Sequence, residues 1–317
     1  AFYPALQYYL LGILYLGYFG MLKLTGVVWT LDHFVAYSFF WGTEELLAIA
    51  RWTGSLFSVG TVFVTAMLAR ELCGRAAAAI AGMLLAVCSL HVRQSPLAAV
   101  DVPMTFWYTA AMYSSVRLMS RGRIVNYLVA GGLVGLATAT KYPGVLAATA
   151  VIAAHLLARR RLFDRRLWLA GLGAFGTFLL TSPYTLLDYA VFIGHFEREL
   201  LHLQGGHGQE LGLGWWYHLK VSLRYAFGWA GLLAFGLAVV TAVRRPNPTW
   251  ILLSAFVVYY LVMGSGQSVF VRYALPLVVI QAVLVAIWIQ RIRVRSWLLL
   301  AFFVVSAEPA YTAVRIS

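Results

Sequence analysis

Apolar residues run along this chain in blocks of about 17–25, separated by short polar interruptions, almost to the C-terminus. Coiled as helix, such a block crosses the roughly 30 Å hydrocarbon core of a bilayer. The blocks predict helices near residues 52–70, 76–92, 101–119, 124–140, 142–158, 167–187, 226–243, 249–264, 273–290 and 297–314. An eleventh stretch, 5–28, is interrupted by Gly12, Gly17 and Gly20 and sits in a run holding Tyr3, Tyr8, Tyr9, Tyr15 and Tyr18. It reads either as a further span or as helices lying along the outer surface, and the aromatic density favours the second. Residues 188–225 break the pattern with Asp188, His195, Glu197, Arg198, Glu199, His202, His207, Glu210, His218, Lys220 and Arg224, so they are expected as the largest polar loop. The expected fold is an all-α polytopic membrane protein: one domain over 1–317, a bundle of about ten transmembrane helices, with 188–225 as a loop within it and a juxtamembrane N-terminal region.

Composition agrees with the pattern. Hydrophobic residues make up 62% and charged residues 11%, with a mean hydropathy of +0.81, whereas a soluble domain carries about 25% charged residues. The net charge of +13 could suggest nucleic acid as a partner, but its distribution argues against that. Arg70 and Arg75; Arg117, Arg121 and Arg123; Arg159–Arg161 with Arg165 and Arg166; Arg244 and Arg245; and Arg291, Arg293 and Arg295 fall in every second loop. That alternation places these five loops in the cytoplasm and the chain in the cell (inner) membrane. Glu71 and Asp164 share the cytoplasmic side; the other acids and six of the seven histidines fall on the opposite, extracytoplasmic face. Cys73 and Cys88 have no metal or redox spacing and read as packing residues. No cleavable signal peptide is visible, and the chain opens at Ala1 within an apolar pattern, so an excerpt of a longer protein is expected.

A few charges sit at the outer ends of the spans. Asp101 precedes Val102-Pro103 at a helix start and follows Arg93 in Leu90-His91-Val92-Arg93. It is either a cap for the first N–H groups or an acid facing a substrate cavity. Lys141, in Thr140-Lys141-Tyr142-Pro143-Gly144, stands alone at an outer turn. It is a snorkelling lysine or a point charge for a lipid phosphate. Arg272, in Val271-Arg272-Tyr273-Ala274-Leu275-Pro276, begins a helix against its dipole, which a phosphate held in its fork would explain. His195, Glu199 and His202 would share one face of a helix, a possible spacing for a divalent metal, although solvated loop chemistry is the more frequent outcome. His207, between glycines, suits a substrate contact better. GxSxG, Walker and zinc-finger patterns are lacking, and Gly131, Gly132 and Gly135 would allow close helix packing.

At these positions the chain resembles family 39-like glycosyltransferases of the GT-C superfamily, whose relatives include protein O-mannosyltransferases and the lipid A aminoarabinose transferase. The resemblance lies in the order of Tyr3-Pro4, Leu90-His91-Val92-Arg93 before Asp101-Val102-Pro103, Thr140-Lys141-Tyr142, Ser182-Pro183-Tyr184 with Asp188, Gly206-His207-Gly208 and Arg272-Tyr273-Ala274-Leu275-Pro276. It implies transfer of a hexosyl- or pentosyl-type sugar from a polyprenyl-phosphate-linked donor, with inversion, to a protein, lipid or glycan acceptor at the extracytoplasmic face. Asp101 would match the family's second acidic site. Lys141, Arg272 and Arg93 would hold the donor phosphate, and Tyr142, Tyr273 and His207 would contact substrate. The resemblance puts the principal catalytic acid just upstream of Tyr3-Pro4, so Asp32, Glu44 and Glu45 are not promoted to that role.

Two competing readings are a transporter or flippase of lipid-linked substrates and a non-catalytic membrane scaffold. A transporter should show paired broken helices near the midplane in two related halves, and the polar residues here gather at one face. The 317-residue chain by itself is expected to transfer no sugar; turnover of a polyprenyl-phosphate sugar by the purified chain would refute this.

Overall fold

The computed structural model describes residues 4–205, 211–244, 248–267, 269–292 and 295–316, and among them it contains helices, turns and loops but no strand. In chain order the α-helices are α1 (Leu6–Leu24), α2 (Leu31–Phe40), α3 (Thr43–Cys73), α4 (Arg75–Ala86), α5 (Ser89–Gln94), α6 (Asp101–Arg121), α7 (Ile124–Thr140), α8 (Ala148–Leu157), α9 (Arg165–Thr181), α10 (Tyr184–Leu187), α11 (Tyr189–Gly205), α12 (Gly214–Tyr217), α13 (Arg224–Val243), α14 (Thr249–Gly264), α15 (Leu275–Gln290) and α16 (Arg295–Ile316). Short 3-10 turns at Tyr142–Ala147 and Val271–Ala274 lead into α8 and α15, and a π-helical turn at His218–Leu223 leads into α13. Among the described residues three helical stretches, Thr43–Cys73, Gly214–Val243 and Val271–Gln290, are long and apolar enough to cross a membrane by themselves.

The centre of the bundle is α15. Its residues are apolar on nearly every face, and almost all are buried, as expected of a helix enclosed on all sides. It packs against α3, α4, α6, α13 and α14. Outside this core, α7 and α9 lie together at very short range. A Cβ added at Gly131 or Gly135 would strike the backbone of Ala170 or Ala174, so the small residues read from the sequence do bring two backbones together. Cys73 and Cys88 are free thiols packed on the core.

The predicted helices coincide with α7 and α14 and differ elsewhere for local reasons. The stretch 76–92 is two helices, because the chain turns extended at Cys88 (φ −65°, ψ 116°) before α5. The stretches 142–158 and 273–290 open as 3-10 turns, each with a proline near its start. Residues 188–225, expected as the largest polar loop, are helical over most of the described part. They form α11, and then α12 and the π-helical turn that continue into α13, while 206–210 lie outside the described residues. The charges in α11 alternate with Phe192, Phe196, Leu200 and Leu203 at helical spacing, so that a polar helix folds with one apolar stripe. The N-terminal stretch is α1 and α2, which close a small separate core of Leu22, Val28 and Phe34. The Tyr15 hydroxyl donates to the Leu46 carbonyl at 3.2 Å and ties α1 to α3.

α9 is capped by Asp164, whose Oδ1 accepts the Arg166 N–H at 2.8 Å. That N–H, helped by the positive charge of Arg166, holds the carboxyl below the ordinary carboxylate range. Its contribution to stability is therefore present above the unfolded-state value and lost as pH falls through the folded one.

Replacing Gly131 by leucine should force α7 and α9 apart and lower stability by about 1–3 kcal/mol. Thermal unfolding in detergent measures this, and an unchanged midpoint would show that the α7–α9 contact is not needed.

Candidate functional site

Asp101 is the first residue of α6, where a negative charge suits the positive helix end. Its carboxylate does not serve as the cap. Oδ1 accepts a 2.8 Å hydrogen bond from Lys141 Nζ, and Oδ2 lies 3.5 Å from Arg272 Nε. The second contact is an ion pair too poorly aligned to count as a hydrogen bond.

Lys141 owes its place to the way α7 ends. The backbone turns extended at this residue (φ −157°, ψ 137°) after its N–H has bonded the Ala137 carbonyl at 3.0 Å, and its own carbonyl accepts from Gly144 N–H at 2.8 Å. The following 3-10 turn lies flush on α7, since a Cβ at Gly144 would land on the Ala137 backbone. The lysine is thereby turned inward: its side chain is 2% exposed and that of Asp101 5%. Snorkelling does not describe it. The ammonium also stands 4.4 Å from the centre of the Tyr273 ring.

Arg272 sits in the 3-10 turn one step before α15, rather than in the helix itself. Its side chain is 36% exposed and lies 4.2 Å over the Phe270 ring. Two cations and one carboxylate thus meet at the ends of three elements, with a net charge of +1. Burying an ion costs several kcal/mol unless a partner faces it, and here each ion has one.

Lys141 and Tyr273 also line a cavity of about 420 Å³. Thr138, Tyr142, Glu199 and His202 add polar groups to the wall, and the rest is apolar, including Pro143, Leu146, Phe178, Phe192, Phe196 and Val262. A second cavity of about 330 Å³ lies beside it, between α1 and α9–α11, lined by Pro4, Tyr8, Tyr9, Ser182, Tyr184, Asp188 and His195 among others. Tyr142 and Phe192 belong to both walls. The Tyr142 ring stands edge-on to Phe196 at 5.2 Å and to Phe192 at 6.3 Å. The Ala5 N–H donates to Ser182 Oγ at 3.2 Å and closes the second cavity from the N-terminal side.

Of the residues singled out in the sequence, Asp101, Lys141, Arg272 and Tyr273 come together, and Tyr142 lies at the junction of the two cavities. Arg93 does not join the ion pairs; it is exposed on α5, which packs against the turn carrying Arg272. His207 and its flanking glycines lie outside the described residues, as does Tyr3. The possible metal set is divided: His195 lines the smaller cavity, and Glu199 and His202 the larger. Among the described residues no group of three His, Cys, Asp or Glu side chains is arranged to hold a metal ion. The sequence reading missed that Glu199 and His202 face the cavity of Lys141. Their spacing with Phe192, Phe196 and Leu203 on one helix was the available signal.

The chain matches a family model described as dolichyl-phosphate-mannose-protein mannosyltransferase over residues 38–186, a range that includes Asp101 and Lys141. It is 29% identical, over 221 residues, to the undecaprenyl phosphate-alpha-4-amino-4-deoxy-L-arabinose arabinosyl transferase of Pectobacterium carotovorum; the match covers 64% of this chain and 40% of that protein. The chain therefore spans well under two thirds of the curated relatives it matches. Among solved structures, ArnT from Cupriavidus metallidurans bound to undecaprenyl phosphate is similar with a TM-score of 0.63 and 18% identity, covering 83% of this chain and 49% of that one. The archaeal oligosaccharyltransferase AglB from Archaeoglobus fulgidus, in complex with an inhibitory peptide and a dolichol-phosphate, has a TM-score of 0.59 and 13% identity over 99% of this chain and 47% of that one. These matches bear out the resemblance to GT-C membrane glycosyltransferases, and the fold is of that kind.

Changing Lys141 to methionine should destabilise the protein by about 3–5 kcal/mol, because Asp101 stays buried with a weaker partner. The double change Lys141→Met with Asp101→Leu should recover most of that loss. Chemical unfolding of Lys141→Met, Asp101→Leu and the double variant measures the coupling; additive losses would show that the pair does not act as a unit.

Proposed function

We propose that this chain forms the lipid-phosphate side of a membrane glycosyltransferase, which moves a hexosyl- or pentosyl-type sugar from a polyprenyl-phosphate-linked donor to an acceptor at the extracytoplasmic face, with inversion. The observation that carries this reading is a buried Lys141–Asp101 pair, joined by the half-exposed Arg272 to a net charge of +1, with Lys141 in the wall of a mostly apolar 420 Å³ cavity. A lipid phosphate has the matching shape, with an anionic head on an apolar tail. The similar proteins named for, or bound to, undecaprenyl phosphate and dolichol-phosphate support the same ligand class.

In this reading Lys141 and Arg272 are fixed cations at the point where negative charge develops on the leaving phosphate. They are pre-aimed, so little reorganisation accompanies the reaction. Asp101, the second acidic site, keeps both cations partnered while no donor is bound. Tyr142, shared by both cavities, places the sugar at their junction. Tyr273 presents a ring face to the lysine; Arg93, on the helix packed against the Arg272 turn, is a candidate for the phosphate and His207 for the substrate. The transport reading is disfavoured because the ionic cluster lies at helix ends, rather than at interruptions midway along paired helices.

In the whole protein, Asp101→Asn and Lys141→Ala should each slow sugar transfer at least about tenfold, or roughly 1.4 kcal/mol in the barrier. The measurement is the initial rate from a polyprenyl-phosphate-linked sugar per mole of folded protein. Wild-type turnover from either variant would return that residue to a structural role.

A further inference from the structure

The end of the bundle remote from Asp101 holds a different arrangement. α6 has 21 residues, about 31 Å of helix, and so it separates the two ends by roughly the thickness of a hydrocarbon core. There, α8 ends at Leu157 and α9 begins at Arg165. Arg159, Arg160, Arg161, Arg165 and Arg166 are crowded into this turn with Asp164 as the one acid.

The turn is held from inside. Tyr127 Oη donates to His155 Nδ1 at 2.7 Å, and His155 Nε2 donates to the Arg161 carbonyl at 2.7 Å. Arg160 donates to the Tyr127 hydroxyl from the other side. Tyr127 and His155 are fully buried. Arg160 is thus committed inward, while Arg159, Arg161 and Arg165 are exposed and Arg166 is half-buried. Directly against this turn, between α7, α8 and α9, runs an apolar groove of about 300 Å³ whose lining includes Gly131, Val134, Ile152, Phe163, Trp168 and Gly171. Phe163 is 82% exposed and Trp168 65%. Aromatic side chains so exposed beside arginines fit the headgroup level of a membrane and not water.

We propose that this groove and its arginines are a seat for an anionic diacyl phospholipid of the inner leaflet. One acyl chain lies in the groove, and the phosphate meets Arg161 and Arg165. Charge complementarity selects the headgroup: three exposed arginines and the half-buried Arg166 against Asp164 favour a lipid with uncompensated negative charge over a zwitterionic one. The groove selects a lipid over free phosphate. Gly171 provides the depth, with open space where its side chain would be. This site is independent of the function proposed for the outer face.

The test is native mass spectrometry of the detergent-purified protein titrated with phosphatidylglycerol and with phosphatidylcholine of the same acyl chains. Phosphatidylglycerol should bind at least tenfold more tightly. The double change Arg161→Gln with Arg165→Gln should reduce it to the phosphatidylcholine level. Gly171→Leu, which fills the groove without meeting another residue, should weaken both lipids about tenfold. Both variants should unfold at the wild-type temperature in lipid-free detergent. Equal affinity for the two lipids, a headgroup preference that survives the arginine changes, or unaltered binding in Gly171→Leu would overturn the proposal. Displacement of phosphatidylglycerol by millimolar inorganic phosphate would also overturn it, by assigning the arginines to a free anion.

Discussion

The bond between Lys141 and Asp101 fastens the open end of the hairpin that α6 and α7 form. It ties the first residue of α6 to the residue that ends α7, and through Asp101 it reaches the turn before α15. Both partners are almost wholly buried. At such depth an unpaired charge costs far more than the pair gains, so the geometry is fixed by the penalty for leaving it. The two cavities inherit that fixity, because Lys141 and Tyr273 line one and Tyr142, the next residue, lines both.

Small residues perform the corresponding task away from the ions. α7 and α9 approach until glycine is the only side chain that fits at Gly131 and Gly135, and the turn after Lys141 rests on α7 through Gly144. In a lipid environment, where apolar surface alone does not drive helices together, such close backbone contact provides much of the attraction. The ionic cluster and the glycine contacts are successive segments of one structure, since α7 carries the second along its length and ends at the first.

Much of this was legible in the sequence, and the limits are physical. Helical period and block length give α7 and α14 almost to the residue, because those helices end where apolar character ends. They fail at 76–92 and 142–158, where the backbone bends inside an apolar run and composition does not change. Nor do they show the helix inside 188–225, where charge density masks a sparse apolar stripe. Asp101, Lys141 and Arg272 stood out as costly charges at membrane ends, yet their pairing did not. The separation of 40 residues between Asp101 and Lys141, and the greater one to Arg272, is bridged only by the packing of α6, α7 and α15.

The position of α15 also bears on the order in which the molecule is assembled. Domains tend to form from the N-terminus as the chain is made, but the helix at the centre of this bundle comes after residue 274. Until it emerges, the inward faces of α3, α4 and α6 lack their shared neighbour. Asp101 and Lys141 lie in the part already synthesised, so their pair is available early. Arg272 arrives with α15, and the ionic cluster is completed in the same step that closes the core.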